Sequence, residues 1–113
     1  MVNNESETLN KIFSALADPT RRAILLQLRQ GSATVGDLAE PFEMSLPAIS
    51  KHLRVLEKAG LINREKSGRI HYLSLAPEYL KPASDWLNYY SQFWENSFAR
   101  LSKLVEDQDL NHD

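Results

Sequence analysis

The stretch SLPAISKHLRVLEKAGL, residues 45–61, decides the fold because apolar and cationic side chains follow one another in it with helical spacing. The apolar side chains recur after three, four and three residues, so they share one face of an α-helix and predict a core face. They are Leu46, Ile49, Leu53 and Leu56. The opposite face carries Pro47, Lys51, Arg54 and Lys58, with Ser50 at its edge.

The ends of this helix are also marked in the sequence. Ser45 is a favourable N-cap, Pro47 lies in the first turn where its missing N–H is tolerated, and Gly60 suits the left-handed position after the last turn. We therefore predict a helix over about residues 46–59. Basic exposed faces commonly serve only solubility, so the neighbouring elements decide whether this one binds a partner.

The composition is that of a folded protein with room for one domain. The chain has 113 residues, of which 42% are hydrophobic and 25% charged. It has no cysteine, which excludes disulfides, thiol catalysis and thiolate metal sites. Because no apolar run is long enough to span a bilayer and no leader precedes the first helix, we expect a cytoplasmic protein with no membrane partner.

The charges are segregated along the chain. The net charge of −2 argues against a nucleic-acid partner. Residues 45–71, however, carry six cations and two carboxylates, a net charge of +4, whereas the rest carries seven cations and thirteen carboxylates, a net charge of −6. The middle of the chain is therefore suited to meet an anion.

Three shorter helices are predicted before the helix of residues 46–59. The spacing of apolar residues from Leu9 to Leu16 predicts the first, and Asp18 with Pro19 opens a second that Gly31 ends. A very short strand is expected at Ser32 and Ala33. We place the structured core at about residues 8–105.

The third helix leads directly into the helix of residues 46–59. Thr34 and Asp37 have the spacing of a capping box, and Pro41 ends the helix that they open. A tight connection from Phe42 to Met44 follows. A short helix, a tight turn and an amphipathic helix with a cationic outer face are the parts of a helix-turn-helix motif.

A β-hairpin is predicted after Gly60, over about residues 61–75. The segments LINREK and RIHYLSL are rich in β-branched and apolar residues, and the pair Ser67-Gly68 separates them as a turn. Its tip carries Arg64, Lys66 and Arg69, which a hairpin that only covers a core does not require. Such a hairpin is called a wing. The predicted fold is therefore mainly α with a small β-hairpin, a winged helix-turn-helix.

A long helix is expected over about residues 78–105, starting either at Glu78 with a kink at Pro82 or at Pro82 itself. Leucines and aromatic residues recur along it at heptad spacing. Packing against its own domain would use part of this stripe, but the stripe is too long for that, so we predict a homodimer interface shared by the first and last helices. The predicted interface residues are Leu9, Phe13, Leu87, Tyr90, Phe93, Trp94 and Leu101.

Three blocks of the sequence resemble the ArsR family of bacterial winged-helix repressors. They are FSALADPTRRAILLQL, TVGDLAEPFEMSLPAISKHLRVLEKAGLI and REKSGRIHYLSL, and the resemblance covers about residues 10–105. It implies a dimer built from the first and last helices, with the helix of residues 46–59 in the DNA major groove. It also implies that the wing lies against the DNA backbone or the minor groove.

The best-known members of that family sense metal ions through a cysteine pair on the third helix or through Asp, His and Glu on the last helix. This chain has Thr34 and Gly36 where the cysteine pair would fall, and its histidines are His52, His71 and His112. No site of three or four well-spaced ligands can be composed from these residues. The sequence thus resembles the metal-independent branch, and we predict no metal site and no cofactor.

The function predicted is that of a homodimeric repressor that reads a palindromic operator in double-stranded DNA. Lys51 and Arg54 are expected at base edges or flanking phosphates, and the wing cations at backbone phosphates. His52 is suited either to a structural hydrogen bond or to a base contact. The complete set of predicted DNA-binding residues is Ser45, Pro47, Ser50, Lys51, His52, Arg54, Lys58, Arg64, Lys66 and Arg69.

Two other functions are an enzyme and a protein-binding scaffold. Ser, His and Asp are not spaced to form a catalytic triad, and no Gly-rich phosphate loop stands out, so we do not expect an enzyme. The alternative is a winged-helix scaffold that binds proteins and not DNA. The aligned cations of the helix and wing favour DNA. The resemblance to the metal-independent branch implies repression that is constitutive, self-directed, or relieved by a small-molecule or protein inducer, which the sequence does not identify.

Overall fold

The computed structural model describes residues 4–110 and confirms the predicted fold class. The helices are α1 (Asn4–Leu16), α2 (Pro19–Leu28), α3 (Val35–Ala39), α4 (Leu46–Lys58) and α5 (Lys81–Leu110). The strands are β1 (Ala33–Thr34), β2 (Ile62–Ser67) and β3 (Ile70–Leu75). The described residues form two compact units that divide between Pro82 and Ala83. The first holds α1 to α4 and the sheet, and the second is α5 from Ala83 onward.

Aliphatic side chains from α1 to α4 and the sheet form the core of the first unit. Eight of them are almost completely buried: Ile12, Ile24, Leu38, Ile49, Leu53, Leu56, Leu61 and Leu73. Burying a side chain of this size stabilises the fold by about 1.5–3 kcal/mol. No described residue with a polar or charged side chain is buried in this core. The core therefore holds α4 in place through its apolar face and leaves its other face to solvent.

Leu46 is an exception to the predicted core face of α4. Leu46 is 55% exposed, whereas Ile49, Leu53 and Leu56 have no exposed surface. Leu46 is the first residue of α4, at the end of the apolar row. Helical spacing predicts which face a residue shares, but not how far along the helix that face is covered.

The predicted helix caps are confirmed. The Asp18 carboxylate accepts a hydrogen bond from the N–H of Arg21 at 3.0 Å, and the Ser45 hydroxyl accepts one from the N–H of Ala48 at 3.2 Å. Thr34 forms a complete capping box at the start of α3. Each bond satisfies an N–H that the first turn of a helix leaves without an internal partner. The first residue of α2, α3 and α4 is therefore determined by hydrogen bonds within a few residues of each helix start.

The sheet has three strands, whereas the sequence indicated a hairpin and a separate short strand. β3 lies between β1 and β2, antiparallel to both, and Ala33 of β1 pairs with Leu73. The short strand is thus one residue later than predicted. The turn also moves by one residue: Ser67 pairs with Ile70, so the turn is Gly68-Arg69, with a φ of 63° at Gly68 that glycine tolerates.

The bounds of the first and last helices differ from those predicted. α1 already begins at Asn4, before the start of the predicted core. α5 begins at Lys81, not at Glu78, because Glu78 has a φ of 52°, which is outside the helical region. α5 also continues to Leu110, five residues beyond the predicted end. No helix in residues 4–110 combines the length and apolar character that crossing a membrane needs.

Candidate nucleic-acid interface

The outer face of α4 is cationic and open to solvent. Lys51, Arg54 and Lys58 are exposed, and their side chains make no hydrogen bond or ion pair within the described residues. Pro47 is exposed on the same face, and Ser50 is half-buried beside it. The structure therefore brings Pro47, Ser50 and the three cations together on one surface, and none of the three cations has a carboxylate partner among the described side chains.

Two further cations lie at the tip of the β2–β3 hairpin. Lys66 is the next-to-last residue of β2, opposite His71, and Arg69 is in the turn. Both side chains are exposed and have no hydrogen-bonding or ionic partner among the described side chains of residues 6–107. We call the five residues Lys51, Arg54, Lys58, Lys66 and Arg69 the open cations. All five belong to the first compact unit.

Arg64 differs from the open cations because Glu57 of α4 already binds it. The Nε of Arg64 donates to Glu57 Oε1 at 3.0 Å, and its Nη2 donates to the same oxygen. Both side chains are about 30% exposed, so solvent screens the pair only in part. The sequence placed Arg64 among the DNA contacts, but the structure gives it an internal partner that ties β2 to α4. The predicted contact of Arg64 with DNA stays a prediction, and a DNA phosphate would have to compete with Glu57 for the Arg64 guanidinium.

His52 lies on α4 but its Nδ1 meets the start of α2. Arg21 Nη1 is 3.2 Å from His52 Nδ1, and Asp18 Oδ2 is 3.9 Å from the same nitrogen. Because a guanidinium only donates, His52 Nδ1 is the acceptor in this contact. Of the two roles left open for His52, the structure shows the structural hydrogen bond.

Arg21 and Arg22 both donate hydrogen bonds to backbone carbonyl oxygens at the C-terminal end of α1. Arg21 donates from Nε to the carbonyl oxygen of Ala15 at 2.7 Å and from Nη2 to that of Ser14 at 3.0 Å. Arg22 donates from Nη1 to the carbonyl oxygen of Leu16 at 2.6 Å. These carbonyls belong to the last turn of α1, where internal partners are missing. The two arginines therefore connect α1 to α2, and Arg21 also connects both to α4.

Asp18 completes this cluster, and its environment favours the ionised carboxylate. The hydrogen bond from the N–H of Arg21 lowers the pKa of Asp18 below its ordinary value, and the Arg21 guanidinium and the N–H of Thr20 act in the same direction, against the smaller opposing effect of partial desolvation. A carboxyl group whose pKa is lower in the folded chain than in the unfolded one stabilises the fold above the unfolded pKa. That contribution is lost as the pH falls through the folded pKa.

We expect Asp18→Ala to lower the free energy of unfolding by about 1 kcal/mol at pH 7, because it removes the N-cap of α2. Asp18→Asn keeps a capping oxygen but cannot ionise. Comparing the two variants therefore separates the contribution of the capping hydrogen bond from that of the carboxylate charge. Urea denaturation at pH 7 and in acid measures both. The difference between wild type and Asp18→Asn is expected to shrink as the pH falls. An alanine variant as stable as the wild type at pH 7 would contradict the role of this cap.

No metal site is visible in the part of the chain that the structure describes. Among the side chains of residues 6–107, which the structure describes, no three from His, Asp or Glu gather in a way that would hold a metal ion. His112 lies outside the described residues. His71 lies in β3, and its Nδ1 atom is buried without a hydrogen-bond partner among the described residues.

α5 displays a continuous row of aromatic side chains. Ring centroids are 5.2 Å apart between Trp86 and Tyr90, 5.9 Å between Tyr90 and Trp94, and 5.8 Å between Trp94 and Phe98. The predicted interface residues of α5 are 43–56% exposed in the single chain: Leu87, Tyr90, Phe93, Trp94 and Leu101. On α1, Phe13 is 36% exposed and Leu9 is half-buried. α5 therefore leaves a row of large apolar side chains open to solvent in the single chain.

Comparison with known proteins agrees with the winged helix-turn-helix fold. Residues 18–64, from the cap of α2 to the start of β2, match the pattern of bacterial regulatory proteins of the arsR family. The transcriptional repressor SdpR of Bacillus subtilis is 42% identical over 79 residues, which are 70% of this chain and 88% of that protein. The chain belongs to the ArsR family.

Further ArsR-family relatives support the same assignment over most of the chain. The HTH-type transcriptional regulator Rv2034 of Mycobacterium tuberculosis is 33% identical over 99 residues, 88% of this chain and 90% of that one. The crystal structure of an ArsR family transcriptional regulator aligns with this structure at a TM-score of 0.76 and 44% sequence identity. The alignment covers 84% of this chain and 97% of that chain. Both of these relatives are named as transcriptional regulators. Relatives named for arsenic and cadmium resistance also match.

Proposed function

We propose that this ArsR-family protein is a homodimeric transcriptional repressor that binds a palindromic DNA operator and does not sense a metal ion. The observation that carries the proposal is the set of open cations on α4 and the hairpin of a protein whose net charge is −2. Such cations release the counterions of DNA phosphates on binding, which is the main source of affinity for DNA.

The division of roles follows from the positions of the side chains. α4 is the helix that enters the major groove, where its first turns approach the base edges. Arg54 is suited to guanine O6 and N7, and Lys51 to guanine or a flanking phosphate. Lys58, Lys66 and Arg69 bind backbone phosphates, which fix the register without reading the sequence.

Ser45, Ser50 and Pro47 have smaller roles in this interface. The Ser45 oxygen accepts from Ala48 N–H, so only its O–H remains to donate to a phosphate beside the start of α4. Ser50 supplies a short hydroxyl next to Lys51. Pro47 contributes van der Waals contact because its ring has no N–H.

A second copy of the chain is the partner proposed for α5. The aromatic row of α5 is apolar and exposed in the single chain, and burying it in a two-fold interface removes it from water. A dimer also places two copies of α4 on one face of the DNA, with half-sites about 10 base pairs or a multiple apart. The operator is therefore a palindrome.

The alternative is a protein-binding scaffold without DNA affinity. It explains the aromatic row equally well, but it gives no reason for the open cations to share one surface. Selection of bound fragments from the source genome, followed by footprinting, separates the two functions. We expect one palindromic motif with two protected major-groove segments. Recovery of fragments without a common motif would contradict the proposal.

The hairpin is expected to contribute affinity but little specificity. Replacing Lys66 or Arg69 by alanine should reduce the slope of log K against log salt concentration by about one unit for each residue. The preference for operator over unrelated DNA should stay unchanged, because phosphates carry no sequence information. Binding is measured between low and physiological salt. Arg29→Ala, an exposed cation at the end of α2, is the matched control and should keep the wild-type slope.

Metal ions are expected to leave DNA affinity unaltered. The described residues gather no ligand set, although some relatives are named for resistance to arsenic or cadmium. Titration of the protein–operator complex with zinc, nickel or cadmium tests this directly. His112→Ala is included because His112 lies outside the described residues. A large change in affinity with any of these ions, abolished in a histidine variant, would show that the protein senses a metal.

A further inference from the structure

Leu46 is exposed at the end of α4 that is proposed to enter the DNA. It is 55% exposed, although it continues the row of Ile49 and Leu53, which are fully buried. A single exposed leucine is ordinary on a protein surface. Leu26 on α2 is an example, at 60% exposed. The position of Leu46, and not its exposure alone, is therefore what calls for an explanation.

Leu46 is placed at the leading end of α4. Ser45 caps the helix, so the backbone of Leu46 is fixed in the first turn. Side chains of a helix point towards its N-terminus, which directs the isobutyl group of Leu46 beyond the first turn. One helical turn later on the same side lies Ser50, and the next residue is the exposed Pro47. The first turn of α4 thus exposes two apolar side chains, Leu46 at the end of the core row and Pro47 on the cationic face.

The major groove offers one apolar group to such a surface. The edges of guanine, cytosine and adenine present hydrogen-bond donors and acceptors, whereas thymine adds the C5-methyl group. Removing that methyl and the leucine side chain from water together is favourable. The open cations cannot supply this discrimination, because a Lys or Arg side chain selects guanine or phosphate.

We propose, on the basis of the proposed function, that Leu46 contacts the C5-methyl group of a thymine in each operator half-site. Leu46 then selects thymine at that position, next to the bases reached by Lys51 and Arg54. The inference adds an apolar specificity contact that the cationic surface does not contain. It also explains why a leucine at the end of the core row is left open to solvent.

Replacing thymine by deoxyuridine in the operator tests this contact, because the change removes only the methyl group and leaves all hydrogen-bonding groups of the base. Each thymine is replaced in turn, and the affinity of the full-length protein is measured. Loss of one buried methyl weakens binding about fourfold, and symmetric replacement in both half-sites about fifteenfold. The protein is the same in every measurement, so its folding does not affect the comparison.

Variants of Leu46 assign the methyl contact to this residue. Leu46→Ala and Leu46→Gln should bind thymine and deoxyuridine operators equally at the sensitive position, whereas Leu46→Met should keep the preference. Leu26→Ala, which removes an equally exposed leucine from α2, should keep it as well. Two shortened or polar variants are compared so that the result does not depend on one of them being stable.

The outcomes separate this inference from the proposed function. Specific operator binding that no deoxyuridine replacement weakens would overturn the role of Leu46 and leave the repressor assignment intact. A methyl effect that persists unchanged in Leu46→Ala would assign the contact to another residue and also overturn the inference. If no specific DNA binding is found at all, the proposed function fails and this contact with it.

Discussion

Replacing Lys51 and Arg54 by alanine together is expected to abolish specific binding of the operator. A well-placed contact to a base edge contributes about 1–3 kcal/mol of discrimination, so the double variant should lose about a hundredfold or more in affinity. Both side chains are exposed, without an ionic partner among the described residues, so the fold should lose little stability. Footprinting and a binding titration at fixed salt concentration measure the loss.

A matched control distinguishes the effect of removing Lys51 and Arg54 from α4 from the effect of removing any two positive charges. Arg29→Ala with Lys103→Ala removes the same two charges from exposed sites at the end of α2 and on α5. This control should bind the operator with nearly wild-type affinity. Both double variants should sediment as dimers, since neither pair belongs to the proposed interface. A Lys51 and Arg54 variant with an unchanged footprint would rule out α4 as the helix that reads the DNA.

Introducing a carboxylate into the aromatic row of α5 is expected to produce monomers. Trp94→Asp or Leu87→Asp would place an unpaired charge in the proposed interface, and burying such a group costs several kcal/mol. The two residues are 43% and 51% exposed in the single chain, so each chain should still fold. Operator affinity should fall strongly as well, because the two copies of α4 no longer bind as a linked pair.

Sedimentation and operator binding are measured on the same α5 variants. Tyr89→Asp is the control: Tyr89 is also aromatic and lies on α5, but it is 76% exposed and lies to the side of the row. This variant should remain a dimer with normal affinity. Circular dichroism checks that helix content is kept in all three variants. A Trp94→Asp protein that sediments as a dimer would show that α5 is not the interface.

Most of the secondary structure was predictable because its causes are local in the sequence. Asp18, Thr34 and Ser45 each bond an N–H three residues later, and both the capping residue and its partner are visible in the sequence. The spacing of Ile49, Leu53 and Leu56 likewise shows the buried face of α4 without reference to any other element. The family resemblance rests on these same blocks.

The roles of individual charged side chains were less predictable, because their partners come from other elements. Arg64 appeared to be one of three equivalent cations at the hairpin, yet Glu57 binds it across seven residues of chain. Arg21 and His52 are 31 positions apart and meet only when α2 packs against α4. No pattern within one helix or strand indicates such a pair.

By itself, the sequence determined the helices, their caps, the hairpin and the concentration of cations in residues 45–71. The tertiary structure alone decided which cations remain open, that β1 pairs with β3, and that Leu46 stays exposed. The physical reason is the range of the interactions. Capping and helical spacing act over three or four residues, whereas ion pairing, strand pairing and burial depend on which distant elements the core brings together.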